Sequence, residues 1–194
     1  PIERHGFTRT SEFEAVETNA AHAKFSLPYS DSTLEAFPYK FEFQILYDLF
    51  DSQIRISYKV INLDEQTIHF SVGGHPAFNV PFTAGEAYED YFLEFEYEEN
   101  LQAHLITPEG FFTGNTEQMV MDGNKLYLTK DLFNKDALVF KDLRSRRVWL
   151  KSKNHDKQLR VVFPHFNYLG VWAKPGAPFV CIEPWYGHAD RVGF

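Results

Sequence analysis

The sequence predicts an all-β fold, an antiparallel sandwich or barrel, and three observations predict it. Apolar and polar residues alternate with period two in run after run, the pattern of strands with one buried face. Clusters of turn-forming residues separate those runs, at the spacing of short antiparallel strands. Aromatic residues make up 17% of the chain, with 20 phenylalanines, and large rings suit sheet faces.

The runs can be taken in order. Phe41, Phe43 and Ile45 alternate with Glu42 and Gln44, and Ile54, Ile56, Tyr58 and Val60 with Arg55, Ser57 and Lys59. Thr67 to Val72 alternates again and leads into two glycines. Tyr91, Leu93, Phe95 and Tyr97 follow, with Phe92 interrupting the polar face. Leu126 and Leu128, Leu138 and Phe140, Val148 and Leu150, then Leu159, Val161 and Phe163 continue the style. Turn signals stand at Leu63–Gln66, Thr107–Gly110, Met121–Asn124 and Lys174–Pro178. Only Asp131 to Asp136 reads as a short helical turn. Without a long 3.6-residue periodicity, a repeat or a low-complexity linker, residues 1–194 read as a single domain.

Composition sets bounds. A chain of 194 residues, 44% hydrophobic and 24% charged, folds around a sizeable core. A net charge of −8 argues against a nucleic-acid partner, which needs a basic surface. The lone Cys181 leaves no intramolecular disulfide and no multi-cysteine zinc site. The sequence lacks an apolar run near the roughly 20 residues that span a bilayer, so no membrane partner is expected. The start does not read as a signal peptide, and the expected location is cytoplasmic. Glu86, Glu89, Asp90, Glu94, Glu96, Glu98 and Glu99 form an acidic cluster. Arg144, Arg146, Arg147, Lys151, Lys153, Lys157 and Arg160 form a basic one. Both read as solvated outer faces of strands.

The segment Gly73-Gly74-His75-Pro76-Ala77-Phe78-Asn79 carries the most chemical information. Glycines there point to close approach of backbone or ligand. Proline stiffens the exit and drives His75 toward an extended conformation. An imidazole fixed at a strand end can serve as an acid–base catalyst. Cys181-Ile182-Glu183-Pro184-Trp185 presents a carboxylate after a buried-looking run, where an unpaired charge is costly. Trp185 and Tyr186 beside it suit the apolar faces of sugars or bases. His5 and Arg9, four residues apart, could face one ligand across a turn. The bland alternatives are a carbonyl-bonded histidine and a structural ion pair. Metal, phosphate-loop and serine-elbow signatures do not occur. Cys181 lies within an apolar strand, where thiols are inert as nucleophiles.

Arg4-His5-Gly6-Phe7-Thr8-Arg9, Gly73-Gly74-His75-Pro76-Ala77-Phe78-Asn79, Asp131 to Leu138 and Cys181-Ile182-Glu183-Pro184-Trp185 occur in this order. Together they resemble the aldose 1-epimerase (galactose mutarotase-like) family, in particular its LacX-type branch. The resemblance implies a large antiparallel supersandwich with a sugar cleft, no cofactor and no metal for chemistry. It implies an isomerase that interconverts the α and β anomers of an aldose, with Glu183 as general base and His75 as general acid. His5, Arg9, Asp136 and Trp185 would bind the sugar. Arg4, Arg9 and the basic stretch leave a phosphorylated sugar open. Family strands before and after the matched region have no counterpart here, so the expectation is a sandwich lacking terminal strands, part of a longer chain. A non-catalytic sugar-binding or sensing domain is the alternative reading. Sugar binding without acceleration of mutarotation would favour it. A third reading is a structural β-domain of a larger enzyme, with the two residues too far apart to share a ligand, and a cleft with room for a pyranose between His75 and Glu183 would exclude it.

Overall fold

The computed structural model describes residues 5–194; Arg4 lies outside them. The chain divides into two compact units, Pro1–Phe70 and Ser71–Phe194.

The first unit holds one antiparallel sheet in chain order: β1 (Glu14–Thr18), β2 (His22–Pro28), β3 (Phe41–Phe50) and β4 (Gln53–Asn62). Strands β3 and β4 pair along their whole length, from Phe41↔Asn62 to Phe50↔Gln53. Asp51 turns the hairpin at φ +49°, a conformation aspartate tolerates better than most residues. The alternation in β4 holds, but its apolar face is only partly covered. Tyr58 and Val60 are half-buried, whereas Ile54 and Ile56 toward the tip are exposed. Two helical elements were not legible in the sequence. Phe7–Thr10 is a 3-10 turn, and α1 (Asp31–Ala36) is a short helix. Ser30 Oγ accepts from Thr33 N, and Thr33 Oγ1 accepts from Ser30 N. That reciprocal box satisfies orphan donors in a helix too short to show a periodicity.

The second unit is a two-layer sandwich. One layer is ordered β10-β7-β12-β13, comprising β7 (Tyr91–Phe95), β10 (Lys125–Tyr127), β12 (Arg147–Ser152) and β13 (Gln158–Val162). The other is ordered β5-β15-β14-β11-β8-β9, with β6 also pairing β15. Its strands are β5 (Val72–Gly73), β6 (Ala77–Asn79), β8 (Gln102–Ile106), β9 (Phe112–Gln118), β11 (Leu138–Phe140), β14 (Tyr168–Trp172) and β15 (Phe179–Tyr186). Leu93, Phe95, Val148 and Leu150 of the first layer share one buried cluster with Phe140, Leu169, Val171, Val180 and Ile182 of the second. Phe95 meets Phe140 edge to face, with ring centroids 6.2 Å apart, a favoured aromatic geometry. Asp131 to Asp136 is a series of turns rather than a helix, its backbone closed by Asn134 N→Asp131 O and Asp136 N→Phe133 O bonds.

The two charge clusters meet each other. Strand β7 pairs with β12 so that Glu94 faces Trp149 and Phe92 faces Lys151. Lys151 Nζ then reaches Glu94 Oε1 at 2.6 Å, and Arg147 Nε stands 3.7 Å from Glu96 Oε1. Glu99 accepts from the backbone and hydroxyl of Ser145. Such partly exposed pairs contribute little stability each, but their complementarity matches the strand register.

Candidate functional site

The site is built on β15. Val180 and Ile182 point into the core and are fully buried. Alternation therefore puts Cys181, Glu183 and Trp185 on the opposite face of the sheet. Strand β14 adds Gly170 opposite Glu183 and Trp172 opposite Cys181.

The glycine–histidine–proline segment runs along the other side of β15. Gly73 pairs with Trp185 and Ala77 with Cys181. Gly74 N donates to Pro184 O, and Pro76 O accepts from Ile182 N. This is a single unbroken register, so His75 stands directly opposite Glu183. Pairs flanked by hydrogen-bonded neighbours bring their side chains closest in an antiparallel ladder. Pro76 lacks an N–H, which an outermost strand tolerates. His75 Nδ1 lies 3.3 Å from Glu183 Oε1, with the imidazole 42% exposed and the carboxylate side chain 4%. The contact answers the charge of a carboxylate whose burial would otherwise be costly.

The anticipated space for a pyranose between the two groups is absent on this edge, because cross-strand pairing brings them into contact. An imidazole and a carboxylate held in contact at a sheet edge are a pair able to give and take protons.

Aromatic rings fix the surroundings. The Trp172 ring meets His75 edge-on, 6.1 Å between centroids and at 90°. Trp185 lies against two glycines: a Cβ on Gly73 would fall 2.6 Å from its Cδ1, and one on Gly170 2.6 Å from its Cζ2. The close approach read from Gly73 is thus made by the protein's own indole. Cys181 is buried beside the pair, and burial, with Glu183 nearby, pushes its thiol up to about 12. One donor atom from each of His75, Cys181 and Glu183 lies within 4.8 Å of the others.

Of the remaining residues singled out in the sequence, Asp136 lies on this same layer, in the turn before β11. It holds φ +103°, a strained backbone for a residue with a Cβ, and its Oδ1 accepts from Ala137 N at 2.7 Å. His5 and Arg9 belong to the first unit, both exposed, with Arg9 in the 3-10 turn. Two cavities, of about 430 and 330 Å³, are walled mainly by Asp190, Arg191, Phe194 and residues of β9 and its turn. Neither includes His75 or Glu183.

Sequence reasoning passed over Trp172 and Gly170. The alternation Tyr168-Leu169-Gly170-Val171-Trp172 would put both on one face, but only the pairing of β14 with β15 shows that this face carries Glu183.

Comparison with known proteins gives a consistent result. Residues 1–192 match the family described as aldose 1-epimerase. Over 190 residues the chain is 38% identical to the plasmid and chromosomal forms of protein LacX from Lactococcus lactis subsp. lactis, covering 96% of this chain and 64% of each relative. The chain thus spans somewhat under two thirds of the length of those relatives. A galactose mutarotase-like protein from Lactobacillus casei ATCC 334 superposes with a TM-score of 0.90 at 31% identity, covering 100% of this chain and 67% of that one. A galactose mutarotase related enzyme from Lactobacillus acidophilus gives 0.89 at 30%, covering 98% and 64%. The expected antiparallel β-sandwich of the galactose mutarotase-like type is borne out.

Proposed function

Because this chain belongs to the aldose 1-epimerase family, we propose that the protein containing it is a mutarotase, an isomerase that interconverts the α and β anomers of a hexose. The observation that carries the reading is the 3.3 Å approach of His75 Nδ1 to Glu183 Oε1 on a face that also bears Trp185. The solved relatives named for galactose mutarotase make galactose the first sugar to test, with free and phosphorylated aldoses both in the substrate class. A cytoplasmic location, where a lone cysteine stays reduced, accompanies this reading.

Glu183 takes the proton of the C1 hydroxyl while protonated His75 gives one to the ring oxygen. The bond between C1 and the ring oxygen breaks, and the open-chain aldehyde forms. Rotation about C1–C2 presents the other face of the carbonyl. The ring hydroxyl then attacks C1, His75 recovers its proton, and Glu183 returns one to the new C1 oxygen. Each positioned proton transfer contributes roughly 10²–10⁴-fold. Trp172, edge-on to the imidazole, holds the plane of the acid. Trp185 supplies an apolar surface for the sugar ring, and Asp136 of the same unit binds its hydroxyls.

Polarimetry of freshly dissolved α-D-galactose with the full-length protein tests the reading. Loss of mutarotation in Glu183→Gln with the fold retained is expected. Unchanged rates in that variant would overturn the assignment, and sugar binding without acceleration would identify a binding domain instead.

A further inference from the structure

We propose that His75, Cys181 and Glu183 together form a binding site for a thiophilic divalent transition metal such as zinc, and that metal bound there shuts the sugar out. The second half of this inference rests on the mutarotase reading; the first half does not.

The donors come from two paired segments. Cys181 and Glu183 are two residues apart on β15 and so share a face. His75 is brought to them from the neighbouring segment, opposite Glu183. One ligating atom from each lies within 4.8 Å of the others. Zinc binds sulfur at about 2.3 Å, imidazole nitrogen at about 2.0–2.1 Å and carboxylate oxygen at about 2.0–2.2 Å. Tetrahedral geometry then separates neighbouring donors by roughly 3.3–3.8 Å. The His75 and Glu183 atoms already stand 3.3 Å apart. Closing the set from within 4.8 Å to coordination distance takes side-chain adjustment, and His75, at 42% exposure, is the member with room to move.

The donor set selects the ion. One sulfur, one nitrogen and one oxygen suit zinc, cobalt or copper, whereas magnesium and calcium require oxygen-rich sites. Three protein donors leave a fourth position for water, the arrangement of open zinc sites. On coordination the Cys181 thiol loses its proton to solvent and the sulfur binds as thiolate. The metal would engage both groups assigned to proton transfer, so a sugar could not be served at the same time.

Cobalt(II) titration of the reduced full-length protein tests the site directly. A thiolate-to-cobalt charge-transfer band saturating at one equivalent, and erased by added zinc, is expected. Cys181→Ser, a near-isosteric change, and His75→Ala, at a half-exposed position, should abolish or weaken that binding. The loss in zinc affinity should exceed the roughly 10–100-fold that removal of a supporting hydrogen bond costs. Absence of the band, or its persistence in Cys181→Ser, would overturn the site. Zinc should also inhibit mutarotation competitively with sugar in the unmodified protein, while Cys181→Ser keeps its basal rate and resists the same zinc concentration. A cobalt band with mutarotation untouched by zinc would overturn the competition. A cobalt band in a protein without mutarotase activity would uphold the metal site and count against the mutarotase reading alone.

Discussion

The Trp185 indole lies against the backbone of Gly170, its Cζ2 2.6 Å from the point where a Cβ would stand. No heavy atom packs that closely to a Cβ, so Gly170→Ala must displace either the ring or the strand. Overpacking of this kind costs about 1–3 kcal/mol. The expected outcome is a lowered melting temperature together with a KM that rises more than kcat falls. Calorimetry and progress-curve polarimetry on the same preparation measure both.

Removing either member of the His75–Glu183 pair should cost activity rather than fold. Glu183→Gln and His75→Gln are each expected to lower kcat by about 10²–10⁴-fold. The double variant should lose much less than the product of the two, because the residues act as one unit. Circular dichroism of the variants, beside their rates, separates chemistry from unfolding.

The pH–rate profile should be bell-shaped. Glu183 must be ionised to accept the C1 proton, so the rate falls as acid protonates it. His75 must be protonated to serve the ring oxygen, so the rate falls as base removes that proton. The two limbs belong to the pair as macroscopic ionisations. In His75→Gln the alkaline limb is expected to vanish while the acid limb persists.

A separate network governs acid stability. Tyr91 is fully buried, and its hydroxyl donates to Glu86 and accepts from Phe82 N. His155 Nε2 stands 3.2 Å from the same carboxylate. The Tyr91 hydroxyl holds the Glu86 carboxyl below its ordinary value of 4.5, against the opposing effect of desolvation. A carboxyl depressed on folding contributes stability that is complete above its unfolded value and is lost as pH falls through the folded one. Glu86→Gln should therefore flatten the dependence of urea midpoint on pH below about 4.5. Tyr91→Phe should destabilise at neutral pH by about 1–3 kcal/mol, because Phe82 N–H loses its acceptor. Urea melts across an acidic pH series read both effects.

Part of the strand set was legible, where period two is written into the residues themselves; β1, β2, β8 and β9 were not read, and the alternating Thr67 to Ser71 lies outside any strand. The runs around Phe41, Ile54, Tyr91, Val148 and Leu159 all lie in strands, since an apolar side chain every second position has one sheet face to hide in. Helix α1 was not legible: six residues are too few for a 3.6-residue pattern, and its Ser30–Thr33 box is a local hydrogen-bond event. The acidic and basic clusters were read as separate solvated faces, because their apposition depends on which strand lies beside which.

By itself, the sequence determined a β-rich chain, the family to which it belongs, and two chemically suggestive residues, His75 and Glu183, each in a distinctive local frame. Periodicity, composition and short motifs are properties of neighbouring residues, and local sterics and burial dictate what they become. The tertiary structure alone decided that His75 and Glu183 stand in one register, that Cys181 joins them, and that Gly73 and Gly170 exist to seat Trp185. Those facts depend on pairing between segments far apart in the chain, which strand register sets and residue order does not display.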